Sequence, residues 1–236
     1  MSSDRWAPYG AGAGALAVAL YVVGSLVRGE PPDFDATGAD VAAHLDEDRT
    51  RIQVGSAIHA AWTPLFVWFL ATVASLTRVG GPGARRAGAV AFACGAIFIA
   101  LFLVDVTSLT VSALRPENMA SAPELAAALR DFEWLAMGMS AFLVSGMLTA
   151  FAVLALRDRV LWPRWLGWLA VIAALAYALR VGTLFTTEGA FAADGVLGLW
   201  VPVAAAAAWI LIGSGVLALK LRGSSEPGEA AGATAG

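Results

Sequence analysis

GAVAFACGAIFIALFLVDVTSLTVSA, residues 88–113, carries one charged side chain, Asp105, in an otherwise apolar run. An amphipathic helix of a soluble domain would show a polar stripe at helical spacing, and this stretch has none. A helix needs about 20 apolar residues to cross a hydrocarbon core ~30 Å thick. Five further stretches meet that length, 8–27, 53–77, 133–156, 166–185 and 197–219. The whole chain agrees: of its 236 residues 59% are hydrophobic and 14% charged, where a soluble domain carries about 25% charge. Its mean hydropathy is +0.73. The fold class expected is all-α, a polytopic bundle of six transmembrane helices.

The net charge of −3 conceals an asymmetry between the two ends of the bundle. Both termini and the second and fourth loops carry Arg5, Arg78, Arg85, Arg86, Arg157, Arg159, Arg164, Lys220 and Arg222, nine of the 15 basic residues. The opposite loops hold thirteen of the 18 acids, Asp33, Asp35, Asp40, Asp46, Glu47 and Asp48 among them. Lys and Arg in short loops mark the cytoplasmic side, so both termini are expected inside. The start, MSSDRW, is hardly basic, and the first apolar run is too long for a signal peptide. It reads as a retained first helix. The single Cys94 excludes an intrachain disulfide and reads as a small core residue.

Residues 1–222 form one six-helix domain in this reading, and the Gly/Ala-rich tail 223–236 is expected to be a disordered cytoplasmic segment. Trp6, Trp162 and Trp165 fall at the expected inner interface, and Trp134 and Trp200 near the outer one. Gly10 to Gly14, Ala204 to Ala208 and Gly213-Ser214-Gly215 permit close helix approach. Two short extracytoplasmic helices are expected in TGADVAAHL (37–45) and SAPELAAAL (121–129). Each opens with a capping-box pattern, a hydroxyl residue followed by an acid three positions later. The pairs Val41/Leu45 and Leu125/Leu129 give each an apolar face. Arg85 and Gly88 correspond to Arg164 and Gly167 in the basic loops. Together these point to a weak internal repeat of 37–113 and 121–185, though apolar helices also resemble one another by chance.

The acidic loop carrying ADVAAHL (39–45), and above all PRWLGWLAVIAALAYAL (163–179), resemble a family of bacterial, actinobacterial-type six-helix membrane proteins of unknown function. The likeness spans residues 10–219. It implies the same fold and a multi-pass place in a bacterial plasma membrane, and it supplies no activity and no catalytic residues.

A charge at membrane depth costs at least ~2.5–3.5 kcal/mol on insertion scales, and such a group usually has a partner or faces a cavity. At a rise of 1.5 Å per residue, Asp105 lies roughly 15 Å below Arg115, His59 roughly 12 Å below Arg51, and Arg180 about 12 Å below Glu188. Three spans therefore bring an acid, an imidazole and a guanidinium to one level. Cys94, Phe98, Leu101, Asp105, Ser108 and Ser112 form one stripe on the third span, and Ser56, His59 and Thr63 another on the second. Tyr177 lies a turn from Arg180, and Glu133 stands at the mouth of the fourth span. Arg180 is the expected partner of Asp105, with His59 second.

The leading functional reading is a non-enzymatic protein binding a small or lipid-like ligand in an outward-facing intramembrane pocket. His59, Asp105, Arg180, Glu133 and Ser108 would line it, with Trp62, Trp134 and Tyr177 as apolar wall. Arg180 would meet an anionic or carbonyl group. One alternative is a membrane-embedded acid–base enzyme acting on an isoprenoid or other lipid. Another is a structural or regulatory subunit whose polar cluster only locks helices. A transporter fits less well, because the inner halves of the spans carry no comparable ionisable path.

Asp33, Asp35, Thr37 and Gly38 imitate the start of a calcium loop, but position twelve is His44 rather than a bidentate glutamate. Two histidines and one cysteine, far apart, give no zinc or haem ligand set, so no metal and no cofactor is expected. Phosphate-binding, hydrolase and dinucleotide signatures are missing. The few basic residues suit contact with membrane lipids and argue against nucleic acid.

Overall fold

The computed structural model describes residues 6–33, 35–158 and 161–223, the side chain of Asp158 excepted; the tail expected to be disordered lies outside them. The described residues form helices and no strands. Six stretches are long and apolar enough to cross a membrane: Ala7–Arg28, Arg49–Val79, Pro82–Leu114, Pro123–Arg157, Arg164–Leu184 and Val196–Gly223. The chain is thus a multi-pass integral membrane protein. Most helices overrun the apolar runs by several residues, because hydropathy reports only the part that meets hydrocarbon.

We number the helices α1 (Ala7–Arg28), α2 (Gly38–Glu47), α3 (Arg49–Leu76), α4 (Pro82–Leu114), α5 (Pro116–Ser121), α6 (Pro123–Met139), α7 (Ala141–Val153), α8 (Arg164–Leu179) and α9 (Val201–Gly223). Helices α6 and α7 meet at Ser140 and make one span. Each span packs on the next in sequence, and α9 returns to α1, which closes a ring.

Small residues let the ring close. Lipid supplies no hydrophobic force between helices, so packing and interhelical hydrogen bonds must hold them. Gly10, Gly14, Ala17, Tyr21, Gly24 and Arg28 follow one another at three-to-four spacing along α1 and share a face. A Cβ on Gly14 would overlap Ser214 of α9 and lie 2.9 Å from Phe69 of α3. Cβ atoms on Gly10 and Gly24 would overlap Thr72 and His59 of α3. In the basic loops Gly88 packs on Thr77, and Gly167 packs on Leu156, so each hairpin folds back on a glycine.

The half of the ring nearer the basic loops is filled with aromatic rings. Phe151 stacks on Trp209 at 4.6 Å, and Trp162 meets both edge-on at 5.4 and 5.1 Å. Trp162 Nε1 donates to the Gly213 carbonyl at 2.8 Å, and Trp209 Nε1 donates to the Leu166 carbonyl at 2.8 Å. Trp162, expected at the lipid interface, is instead 1% exposed and belongs to this core. Hydropathy places a tryptophan near the boundary but does not say which way it turns. Trp6, Trp165 and Trp200 do face outward.

Pro64 sits inside α3 and deprives the Ala60 carbonyl of its helical donor. The Thr63 hydroxyl donates to that carbonyl at 2.8 Å, which satisfies it where no water is at hand.

At the acidic end α2 lies over α5 and α6 and also touches α3 and α4. Val41, Ala42, Leu45, Ile52, Ala113, Met119 and Ala126 make a second small core there. The expected capping box of α2 is present: the Asp40 N–H donates to Thr37 Oγ1 at 3.3 Å, and the Thr37 N–H donates to the Asp40 carboxylate at 3.0 Å. The Thr37 hydroxyl, which donates to the Asp40 carboxylate at 2.6 Å, and the Thr37 N–H hold that carboxyl below its usual range. The second expected box does not form. Ser121 ends α5 and donates its hydroxyl to the Asn118 carbonyl at 2.9 Å, and Ala122 precedes Pro123, the first residue of α6. Residues 121–129 are therefore the end of α5 and the opening turns of the fourth span, and α5 is the second short helix. Proline at the first helical position starts α6 without a capping side chain.

Asp48 joins α2 to α3, with Arg51 Nη1 at 3.0 Å and His44 Nδ1 at 3.4 Å from its carboxylate. Burial lowers the His44 pKa, and it outweighs the attraction of Asp48 and Glu47. The unfolded segment then binds a proton more readily than the folded one, so stability is full above about pH 6.5 and falls as the pH drops below it. Protection of the α2 amides, once the intrinsic pH dependence of exchange is divided out, should fall from pH 7.5 to 5.5, and His44→Gln should remove that fall. For the ring, Gly14→Leu should lose about 1–3 kcal/mol of stability through overpacking. Gly12→Leu, on the same helix with open space at its Cβ, should unfold at the wild-type temperature in detergent.

Candidate functional site

The polar level lies in the half of the ring toward the acidic loops, just above an aromatic floor. Tyr21 of α1 stacks on the His59 ring at 5.2 Å. Phe102 meets His59 at 5.6 Å and Trp62 at 5.2 Å. Asp105 stands one turn of α4 beyond Phe102 and is 8% exposed. Its neighbours on α4 differ in part from the expected stripe. Leu101 is more than a third exposed, Cys94 and Phe98 are half-buried, and the fully buried face runs through Gly95, Ile99, Phe102 and Val106.

The charge acting most strongly on Asp105 is Arg28, at the end of α1, with Arg180 second. No guanidinium nitrogen comes within 4.0 Å of the Asp105 carboxylate among the described residues. Neither Arg28 nor Arg180 therefore closes an ion pair on Asp105. Sequence reasoning did not single out Arg28, which stands one residue past the apolar run 8–27. The signal that finds it is the α1 stripe, which carries Arg28 round to the side of Gly24 and Tyr21. Glu133 of α6 lies within electrostatic range of Asp105, Arg28 and Arg130.

His59 has a definite local role. Its Nε2 lies 3.1 Å from the Tyr21 carbonyl and 3.2 Å from the Ser25 hydroxyl, and Ser25 Oγ also donates to the Tyr21 carbonyl at 3.0 Å. A carbonyl only accepts, so Nε2 carries the proton and donates it across the α1–α3 interface. Its expected place beside Asp105 is modified accordingly: the imidazole turns toward α1, with Phe102 between it and the Asp105 turn.

Arg180 ends α8 where the helix tightens into the 3-10 turn Arg180–Leu184, and the Tyr177 hydroxyl lies within reach of its guanidinium. Trp62 and Tyr177 are buried walls, Trp134 is half-buried on α6, and Ser108 is half-buried a turn beyond Asp105. Several buried atoms here have no hydrogen-bond partner among the described residues: Ser56 Oγ, His59 Nδ1, Trp62 Nε1, Asp105 Oδ1 and Arg180 Nε. A buried polar group left unpaired costs about 1–3 kcal/mol, and such groups in native proteins are met by water or ligand. The two principal surface grooves lie elsewhere, one along Asp131, Thr183 and Glu188, the other along Trp6, Trp68 and Thr72.

Comparison of the chain with family models, curated proteins and solved structures gives no match. The reading of the site therefore rests on its own geometry. His59→Phe keeps the ring stack on Tyr21 and removes the donor. It should cost about 1 kcal/mol, measured as a lower unfolding temperature, and Ser25→Ala in the same background should add little because the two side chains share one carbonyl.

Proposed function

We propose that this is a non-enzymatic membrane protein that holds a small amphipathic ligand in the polar half of its ring. The acidic loops face outward, in the plasma membrane of a bacterium, as the charge asymmetry and the family resemblance imply. Its anionic or carbonyl group meets Arg28 and Arg180. Trp62, Phe102 and Tyr177 contact its apolar part. The observation that carries this reading is the cluster of buried, unpartnered polar atoms on α3, α4 and α8. They share the ring with Arg28, Arg180, Asp105 and Glu133, whose charges act on one another, and an aromatic layer fills the other half. A guanidinium can donate up to five hydrogen bonds, so an anionic headgroup supplies acceptors that the protein does not.

A second reading, a helix lock without a ligand, is favoured by the His59 bond to the Tyr21 carbonyl, which does pin α1 to α3. The two separate in one experiment with oleate as an anionic single-chain probe. In the ligand reading oleate raises the unfolding temperature of the detergent-solubilised protein, and Arg28→Gln and Arg180→Gln each weaken its binding about tenfold. A lock predicts that the same variants unfold at lower temperature while oleate has no effect on any form.

A further inference from the structure

The groove along Trp6, Trp68 and Thr72 opens where the first two spans meet, at the end that carries the basic loops. It has a volume of about 190 Å³, and Ala71 and Ser75 also line it. We propose that it seats one acyl chain of an anionic phospholipid from the leaflet on that side, with the lipid phosphate held at Arg78.

The position of the groove decides what fills it. Trp68, Ala71, Thr72 and Ser75 belong to the span Arg49–Val79, so the medium that meets them is hydrocarbon. From Trp68 to Ser75 the helix rises roughly 10 Å at 1.5 Å per residue. A groove left open over that length would forfeit the dispersion contacts of its lining, and acyl chains are what the surroundings supply. The lining suits one. Ala71 contributes only a methyl group, and the indoles of Trp6 and Trp68 are 68% and 42% exposed. Thr72 turns its hydroxyl back on its own helix, donating to the Trp68 carbonyl at 2.9 Å, so the floor asks for no polar partner. Trp68 leans on α1 at Gly10, where a Cβ would come within 3.0 Å of Nε1, and marks the deep end. Trp6 and Ser75 mark the end toward the basic loops.

Charge at that end is a separate observation, and it decides the headgroup. Arg78 follows Ser75 by three residues, in the 3-10 turn Thr77–Val79 that continues α3, and so returns to the same side of the helix. It is exposed, and its guanidinium makes no ion pair or hydrogen bond among the described residues. The segment TRVGGPGARR, 77–86, holds three arginines and no acid, and the first turn of α1 has no acid either. A guanidinium takes phosphate through two parallel N–H bonds, and basic recesses between spans bind anionic headgroups in this way. A choline headgroup would bring its own cation against the arginines.

The test uses the full-length protein and native mass spectrometry from micelles containing equal phosphatidylglycerol and phosphatidylcholine. The glycerol lipid should be retained about tenfold over the choline lipid, as expected for hydrogen bonds between charged groups. Two variants separate chain from head. Ala71→Phe fills the groove from an exposed position and should cut retention of both lipids. Arg78→Gln should still retain lipid with the ratio brought toward one, while Arg164→Gln, at the start of α8, should leave the ratio as it is. A wild-type ratio near one overturns the proposal, as does a ratio that Arg78→Gln leaves unchanged or that Arg164→Gln lowers equally. Retention that survives Ala71→Phe overturns it too. Should that variant fail to fold, phosphatidylglycerols of decreasing chain length on the wild-type protein decide the matter: retention must fall as the chain shortens. Glycerol phosphate that displaces the lipid at equal concentration would show a headgroup-only site and sink the acyl-chain assignment.

Discussion

The fit of α1 between its two neighbours governs the rest of the architecture. A ring of six helices in lipid is held by close packing and interhelical hydrogen bonds, since apolar side chains gain nothing from leaving an apolar solvent. Gly14 brings α1 against Ser214 of the last helix and Phe69 of the second span at once. Without that approach the ring would open along its seam, and Tyr21 and Arg28, which follow on the same face, would not reach the interior. Packing near one end thereby sets the chemistry available at the other.

The interior divides into two media. Toward the basic loops Phe69, Phe151, Trp162 and Trp209 fill the space, and both indole N–H groups are bound to backbone carbonyls. Toward the acidic loops the lining is titratable, with atoms the protein itself does not pair. A charged group crossing the first half would lose its hydration and find no counter-charge, at a cost of several kcal/mol. The two halves are therefore unequal.

Much of this was legible in the sequence, for physical reasons that also mark where legibility ends. A bilayer imposes a length and an apolar composition, so the six spans stand out from residue types alone. Depth follows from counting residues, which is why Asp105, His59 and Arg180 could be placed on one level. Rotation about the helix axis is another matter. It is set by packing against neighbours, so Trp162 turned inward and Leu101 outward against expectation. Arg28 escaped notice because a residue at the end of an apolar run looks like loop. Only the glycine spacing along α1 tells which side it takes. Thr37 and Ser121 look alike in sequence, yet one caps a helix and the other does not. Pro123 two residues beyond Ser121 makes the difference.

The segment between α1 and α2 has a further significance. Gly29, at φ 81°, turns the chain out of α1 immediately after Arg28. A few residues on, the Asp33 carbonyl is gripped by Arg130, and Gly38 rests on the Pro123 carbonyl so closely that no side chain would fit. Arg28 and Glu133 thus sit on two helices whose ends are cross-braced by one short strap. Any tilt of α1 relative to α6 must stretch that brace or break its guanidinium–carbonyl link. The electrostatic balance inside the bundle is in this way mechanically coupled to a loop lying outside it.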